Sequence, residues 1–98
     1  MKYVYPAVFS KEDDAYNVSF PDLPGCLTFG IGMKDATEMA VDALSLYLYS
    51  CEIDKLDIPT PSDATAIQKE NPNDIIVIIA CDTTDYGQYV TEANDRSE

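Results

Sequence analysis

The segment that most restricts how this chain can fold runs from Tyr16 to Cys26 and reads YNVSFPDLPGC. Tyr16, Val18 and Phe20 alternate with Asn17 and Ser19, the two-residue period of a strand with one buried face. Pro21, Pro24 and Gly25 then end the strand abruptly. Each proline fixes φ and lacks an N–H, and the glycine admits positive φ. The segment therefore predicts a stiff, exposed turn from which Asp22 and Leu23 project. Such a loop serves either as a recognition element or only as a turn between two strands.

The flanking sequence supplies partners for that strand. Tyr3, Tyr5, Ala7 and Phe9 share one face of a first strand, and Lys11-Glu12-Asp13-Asp14 is the polar turn of a hairpin. Pro6 removes one ladder donor from the first strand, so either its flank is unpaired or a bulge lies there. After the Pro24-Gly25 turn, Leu27, Phe29 and Ile31 alternate with Thr28, Gly30 and Gly32, which predicts a third strand returning beside the second. The three make an antiparallel meander.

From Lys34 to about Ile53 the period lengthens. Ala36, Ala40, Ala43, Leu44, Tyr47, Leu48 and Cys51 fall on one stripe, and Asp35, Glu38, Asp42, Ser45 and Glu52 fall opposite, as in a long amphipathic helix. Asp35 and Glu38 suit the positive end of the helix dipole, while Met33 is a poor N-cap. The outer face is acidic and carries Tyr49 on or near it. It is either a solvated surface or a binding surface.

Pro59 and Pro61 keep Asp54 to Ser62 out of a helix. Ser62 is placed to cap a short helix from Asp63 to about Lys69, which Asn71-Pro72-Asn73-Asp74 ends. Ile75 to Ala80 is apolar on both faces, the pattern of a strand buried within a sheet, and a right-handed crossover through the long helix predicts that it lies parallel to an earlier strand. The expected fold is α+β, a βββαβ sheet with one main helix on one face. Asp82 to Glu98, with Tyr86, Tyr89 and Val90, reads as a short helix, a strand or no regular structure.

Ninety-eight residues make one small domain, and the 46% apolar content with seven tyrosines and three phenylalanines is enough for a core. Eighteen acidic against six basic residues give a formal net charge of −12 with no histidine. Such a field repels phosphate, so direct nucleic-acid binding is not expected; it favours a basic protein partner, or it serves solubility alone. Cys26, Cys51 and Cys81 are far apart and odd in number, which predicts reduced thiols and neither a disulfide framework nor a zinc site. The N-terminus lacks a continuous apolar stretch and the longest apolar run, Ile75 to Cys81, is of strand length, so a cytoplasmic protein is expected.

The catalytic inventory is thin. Without histidine no Ser-His or Cys-His pair can form. Asp13, Asp14, Asp22, Asp82 and Asp85 are the carboxylates that a divalent metal would need, but the first two lie in a hairpin turn and the last two beyond the final strand, so they are not expected to converge. Gly30-Ile31-Gly32 lacks the third glycine and the strand-to-helix setting of a phosphate cradle. No catalytic residue, metal or cofactor is expected, and protein binding is the default.

Read in order, YPAVF (Tyr5 to Phe9), YNVSFPDLPGC, Thr28 and Gly30, KDATEMAVDALSLYL and IPTPSD (Ile58 to Asp63) resemble the HicB antitoxin family over roughly Tyr3 to Val77. FPDLPGC is the most specific piece. The resemblance implies a degenerate, catalytically inert RNase H-like domain over residues 1–82, followed by an acidic tail over 83–98. It also implies a HicA-like partner, a small basic mRNA-cleaving toxin whose active site the antitoxin blocks. Asp22, Leu23, Pro24, Glu38, Asp42 and Tyr49 are the candidate toxin contacts. Many family members continue through a basic linker into a domain that binds operator DNA; here the only basic residue after Lys69 is Arg96, and DNA binding is not carried over. The chain is either a fragment lacking that domain or a minimal antitoxin. A metal-dependent nuclease and a stand-alone acidic interaction module are the alternatives. An exposed sheet edge also offers a place for two copies to pair, against the repulsion of their charges.

Overall fold

The computed structural model describes residues 1–84; the expectations for Asp85, Tyr86, Tyr89 and Val90 lie outside the described residues. The elements are β1 (Lys2–Glu12), β2 (Ala15–Ser19), β3 (Leu27–Ile31), α1 (Gly32–Asp54), α2 (Ala64–Glu70) and β4 (Ile75–Asp82). The strands form one sheet in the order β3-β2-β1-β4. The βββαβ order is as expected, and α2 is the short helix expected from Asp63 to about Lys69 between main helix and last strand.

The β1–β2 hairpin closes through Asp13-Asp14 between the paired Glu12 and Ala15. Asp13 takes φ 56°, a left-handed conformation that aspartate tolerates and that matches the twist of the strands. Pairing with β2 begins only at Val8↔Ser19, whereas β4 pairs with β1 from Lys2 to Phe9. Pro6 therefore lies where β1 has a partner on one flank only, which is where a residue without an N–H is accommodated.

One face of the sheet carries Tyr5, Ala7 and Phe9 of β1, Val18 of β2 and Ile79 and Cys81 of β4. They pack on Ala36, Ala40, Leu44 and Leu48 of α1, all fully buried. Tyr3, Tyr16 and Val77 lie half-buried at the margin of this core. The opposite face is covered in part by α2, which contacts β4 and β1 and buries Ile67.

Two expectations are corrected. First, β4 pairs antiparallel with β1, and among the described residues no strand adds in parallel. After α1 the chain crosses the molecule a second time through residues 55–63 and α2, and that extra traverse reverses the direction in which the last strand enters. Second, β4 is an edge strand and does not lie within the sheet. Its two faces differ: Val77, Ile79 and Cys81 turn toward α1, while Ile76 and Ile78 line a depression beside α2 that leaves Ile78 53% exposed.

β3 also departs from its pattern. Leu27, Phe29 and Ile31 are 68%, 60% and 56% exposed, and Gly30 is the buried residue that faces α1. A Cβ on Gly30 would stand 2.5 Å from the Ala36 Cα. The missing side chain lets the helix approach the strand closely, and this contact dictates which face of β3 turns inward.

The ends of α1 show how the helix is held. Its N-cap is Ile31, which offers no capping side chain; the Asp35 carboxylate instead reaches back and accepts from the Ile31 N–H at 2.9 Å while complementing the dipole. At the far end Lys55 adopts φ 57°, ψ 38°. Lys55 N–H donates to the Glu52 carbonyl (3.3 Å) and Leu56 N–H to that of Cys51 (2.9 Å). This is a Schellman motif made without glycine. The short helix is capped by Asp63, whose carboxylate accepts from Thr65 N–H at 3.1 Å, and not by Ser62.

Candidate partner-binding surface

The FPDLPGC loop is two consecutive β-turns. Leu23 N–H donates to the Phe20 carbonyl (2.9 Å), Cys26 N–H to that of Leu23 (3.0 Å), and Phe20 N–H to that of Cys26 (3.2 Å). Pro21 and Pro24 each hold the second position of a turn, and Gly25, at φ 84°, supplies the positive φ that a type II turn needs at its third. The loop is rigid, as its composition predicts.

Its side chains do not point as expected. Leu23 is 1% exposed and belongs to the core, so it is not available on the surface. Folding back of the two turns points it inward, beneath the loop. Asp22 is half-buried and its carboxylate accepts from both the backbone N–H (2.9 Å) and the hydroxyl of Ser62. Pro24 is exposed, and its carbonyl accepts from the Tyr47 hydroxyl at 3.0 Å. The loop is thus clasped to α1 on one side and to the α1–α2 connection on the other. The Tyr5 hydroxyl donates to the Pro59 carbonyl and fixes the same connection from beneath.

The outer side of α1 divides into two rows. Asp35, Glu38 and Asp42 are exposed along one, with Tyr49 half-buried beside them. Among the described residues the one ion pair joins the Met1 amino group to Asp82 at 3.3 Å, so none of these three carboxylates has a cation in contact. Two other residues assigned to the acidic face belong elsewhere. Ser45 is buried and donates to the Val41 carbonyl at 2.7 Å. Glu52 is half-buried and accepts from the Tyr3 hydroxyl (2.6 Å) and the Thr83 hydroxyl (2.8 Å). That contact makes Thr83 part of the packed unit. It also pushes the Tyr3 phenol up to about 12, through burial first and then through the hydrogen bond to Glu52.

The second row was missed. Met39, Leu46 and Ile53 are exposed large apolar side chains and, with Ala43 and Ser50, they repeat at alternating spacings of three and four residues. This is a helical stripe offset from the one that enters the core. Beside it lies an apolar groove of about 410 Å³ lined by Cys26, Leu27, Ala43, Leu46, Cys51 and Leu56, among others. The repeat was readable in the sequence, but the stronger alanine and leucine stripe next to it drew the assignment.

The aspartates considered for metal chemistry stand apart. Asp13 and Asp14 are exposed in the hairpin turn, Asp22 is held by Ser62, and Asp82 is held by the Met1 amino group and by Thr84 N–H. Among the described residues no group of three or more His, Cys, Asp or Glu side chains is placed to hold a metal ion. The three cysteines are buried free thiols, and burial pushes the Cys26 thiol up to about 11. No helix among the described residues is long and apolar enough to cross a membrane.

Residues 5–95 match the family described as the HicB-like antitoxin of bacterial toxin–antitoxin systems. Antitoxin HicB 2 of Photorhabdus laumondii is 40% identical over 58 residues, 59% of this chain and 42% of that protein. The fold is shared with a chain of a toxin–antitoxin complex from Streptococcus pneumoniae (TM-score 0.79, 24% identity, covering 88% of this chain and 73% of that one). It is shared also with a chain of a HicA3 and HicB3 toxin–antitoxin complex (TM-score 0.64, 22% identity, 82% and 99%). The chain spans between 39% and 62% of the length of the curated relatives it matches. A match over nearly all of the sequence, with a fold to agree, leads to one assignment: this chain belongs to the HicB-like antitoxin family.

Proposed function

We propose that the chain neutralises a HicA-like ribonuclease toxin by binding it and covering its RNA-binding ground, without catalysis of its own. The observation that carries this reading is the row Asp35, Glu38 and Asp42 on α1, exposed and with no cation in contact among the described residues, in a chain of formal charge −12. A protein that cleaves RNA presents basic groups to phosphates, and a rigid acidic face competes for those groups while steering encounter. Two further points support it: membership of an antitoxin family, and a fold shared with a chain from a HicA3–HicB3 complex. The scattered placement of Asp13, Asp14, Asp22 and Asp82 supports a binding role over a metal-dependent nuclease.

The test is co-expression of this chain with the small basic protein encoded beside it, scoring growth and co-purification. Rescue of growth with a stable complex is expected. A folded chain that gives neither removes the proposal. Glu38→Lys combined with Asp42→Lys is expected to weaken inhibition and to flatten its salt dependence. Asp22 is left out of that variant because its carboxylate is engaged by Ser62.

A further inference from the structure

The apolar row and groove on α1 are not explained by charge. Leu27, Leu46, Ile53 and Leu56 are each more than half exposed, and Leu27, Leu46 and Leu56 border one groove floored by Cys26, Ala43 and Cys51. Small monomeric proteins rarely leave contiguous large apolar groups in water without a use. The walls are fixed: the Tyr47 hydroxyl is bonded to the Pro24 carbonyl, and the Schellman motif sets Leu56 over the Cys51 carbonyl. A preformed site of this kind costs little ordering on binding.

The charges around the groove select the occupant. Asp35 and Asp42 stand one turn before Met39 and Leu46, and Asp54 and Asp57 flank Ile53 and Leu56; all four are exposed, against the cations Lys34 and Lys55 in the same stretch. A second copy of this chain would bring the same carboxylates to the same rim and be repelled. A partner with large apolar side chains inside a ring of lysine or arginine matches both the floor and the rim, the arrangement of an interface with an apolar centre and a polar border.

We propose that this groove is where the basic toxin docks, taking an apolar segment of it between α1 and the start of β3. The inference rests on the toxin-binding reading and makes it specific: the apolar groove anchors the complex, and the acidic row beside it orients the partner. In this arrangement the FPDLPGC loop builds one lip of the groove and its side chains are not the principal contacts.

The experiment measures the affinity of the full chain for the adjacent-gene toxin, carried as a variant that cannot cleave RNA, by calorimetry at low and high salt. Leu46→Glu with Leu56→Glu is expected to weaken binding by about 30-fold or more, the loss typical of truncating a central anchor. Leu46→Ala with Leu56→Ala should weaken it about 10-fold with unchanged melting, which separates lost contact from lost folding. Ala66→Glu with Asn73→Glu, matched to the glutamate pair in added charge but exposed on and just after α2, on the other face of the sheet, should bind as the unaltered chain does. If the chain binds the toxin and both leucine pairs bind equally well, the groove is overturned and toxin binding stands. If the unaltered, folded chain does not bind the toxin, both fall. A concentration-dependent dimer of the free chain that the glutamate pair abolishes would assign the groove to a second copy and overturn the proposal.

Discussion

The Asp22 carboxylate accepts two hydrogen bonds from Ser62, one from its backbone N–H and one from its hydroxyl, and so joins residues 40 positions apart in the chain. FPDLPGC, the most specific motif in the sequence, is in this structure a clasp. It closes two β-turns on themselves and holds the connection that carries the chain from α1 to α2.

Removal of the clasp is expected to be felt as stability. Asp22→Ala loses both bonds and leaves Ser62 N–H without its carboxylate; because Asp22 is only half-buried and Ser62 is exposed, the cost is set at about 1 kcal/mol. Ser62→Ala keeps the backbone bond and should cost about half as much. Urea unfolding of the two single variants and the double variant reads the coupling, and additive losses would mean that the two residues act independently.

Leu23 gives a second, larger expectation. A side chain 1% exposed at the centre of a rigid loop cannot be truncated without leaving a cavity, and the turns on either side hinder collapse around it. Leu23→Ala is expected to lower stability by about 2–5 kcal/mol. Toxin affinity, measured below the unfolding transition, should change little. A stable Leu23→Ala variant that no longer binds would reverse this assignment.

The alternation that places Tyr5, Ala7, Phe9 and Val18 in the core was legible in the sequence because these residues face the layer that a period-two pattern reports. β3 was misread from the same rule. Its alternating side chains Leu27, Phe29 and Ile31 turn outward because the position that must approach Ala36 is glycine, and hydropathy gives a glycine no weight. β4 was misread for a different reason. Apolar residues on both faces report neither burial nor neighbours in the sheet: Val77, Ile79 and Cys81 face α1, whereas Ile78 on the other face stays 53% exposed at the sheet edge. At the candidate site the acidic row was legible by charge, and the apolar row beside it was hidden by the stronger core stripe on the same helix.

Two glycines test that account of β3. Gly30→Ala would set a methyl 2.5 Å from backbone atoms of α1 and is expected to cost about 1–3 kcal/mol or more through displacement of the helix. Gly25→Ala meets nothing within 4 Å but must adopt φ 84°, at a cost of about 1 kcal/mol from conformation alone. Denaturant midpoints rank the two. Equal losses would mean that the close approach of α1 to β3 does not constrain the fold.

The contact between Tyr3 and Glu52 predicts how stability depends on pH. In the folded protein the Tyr3 phenol is raised from 10.0 to about 12 by burial and by its hydrogen bond to Glu52, and burial raises the Cys26 thiol from 9.0 to about 11. Both groups hold their protons more tightly folded than unfolded. Their stabilising contribution is therefore complete below the unfolded values and is lost as pH climbs: from 9.0 to about 11 for Cys26 and from 10.0 to about 12 for Tyr3. Tyr3→Phe removes the second component. The variant should begin less stable at neutral pH by about 1 kcal/mol for the lost bond to Glu52, and its urea midpoint should then fall less steeply than that of the unaltered chain through the upper part of the window. Parallel curves would show that the Tyr3–Glu52 contact, and with it the anchoring of α1 to β1, is weaker than the 2.6 Å geometry indicates.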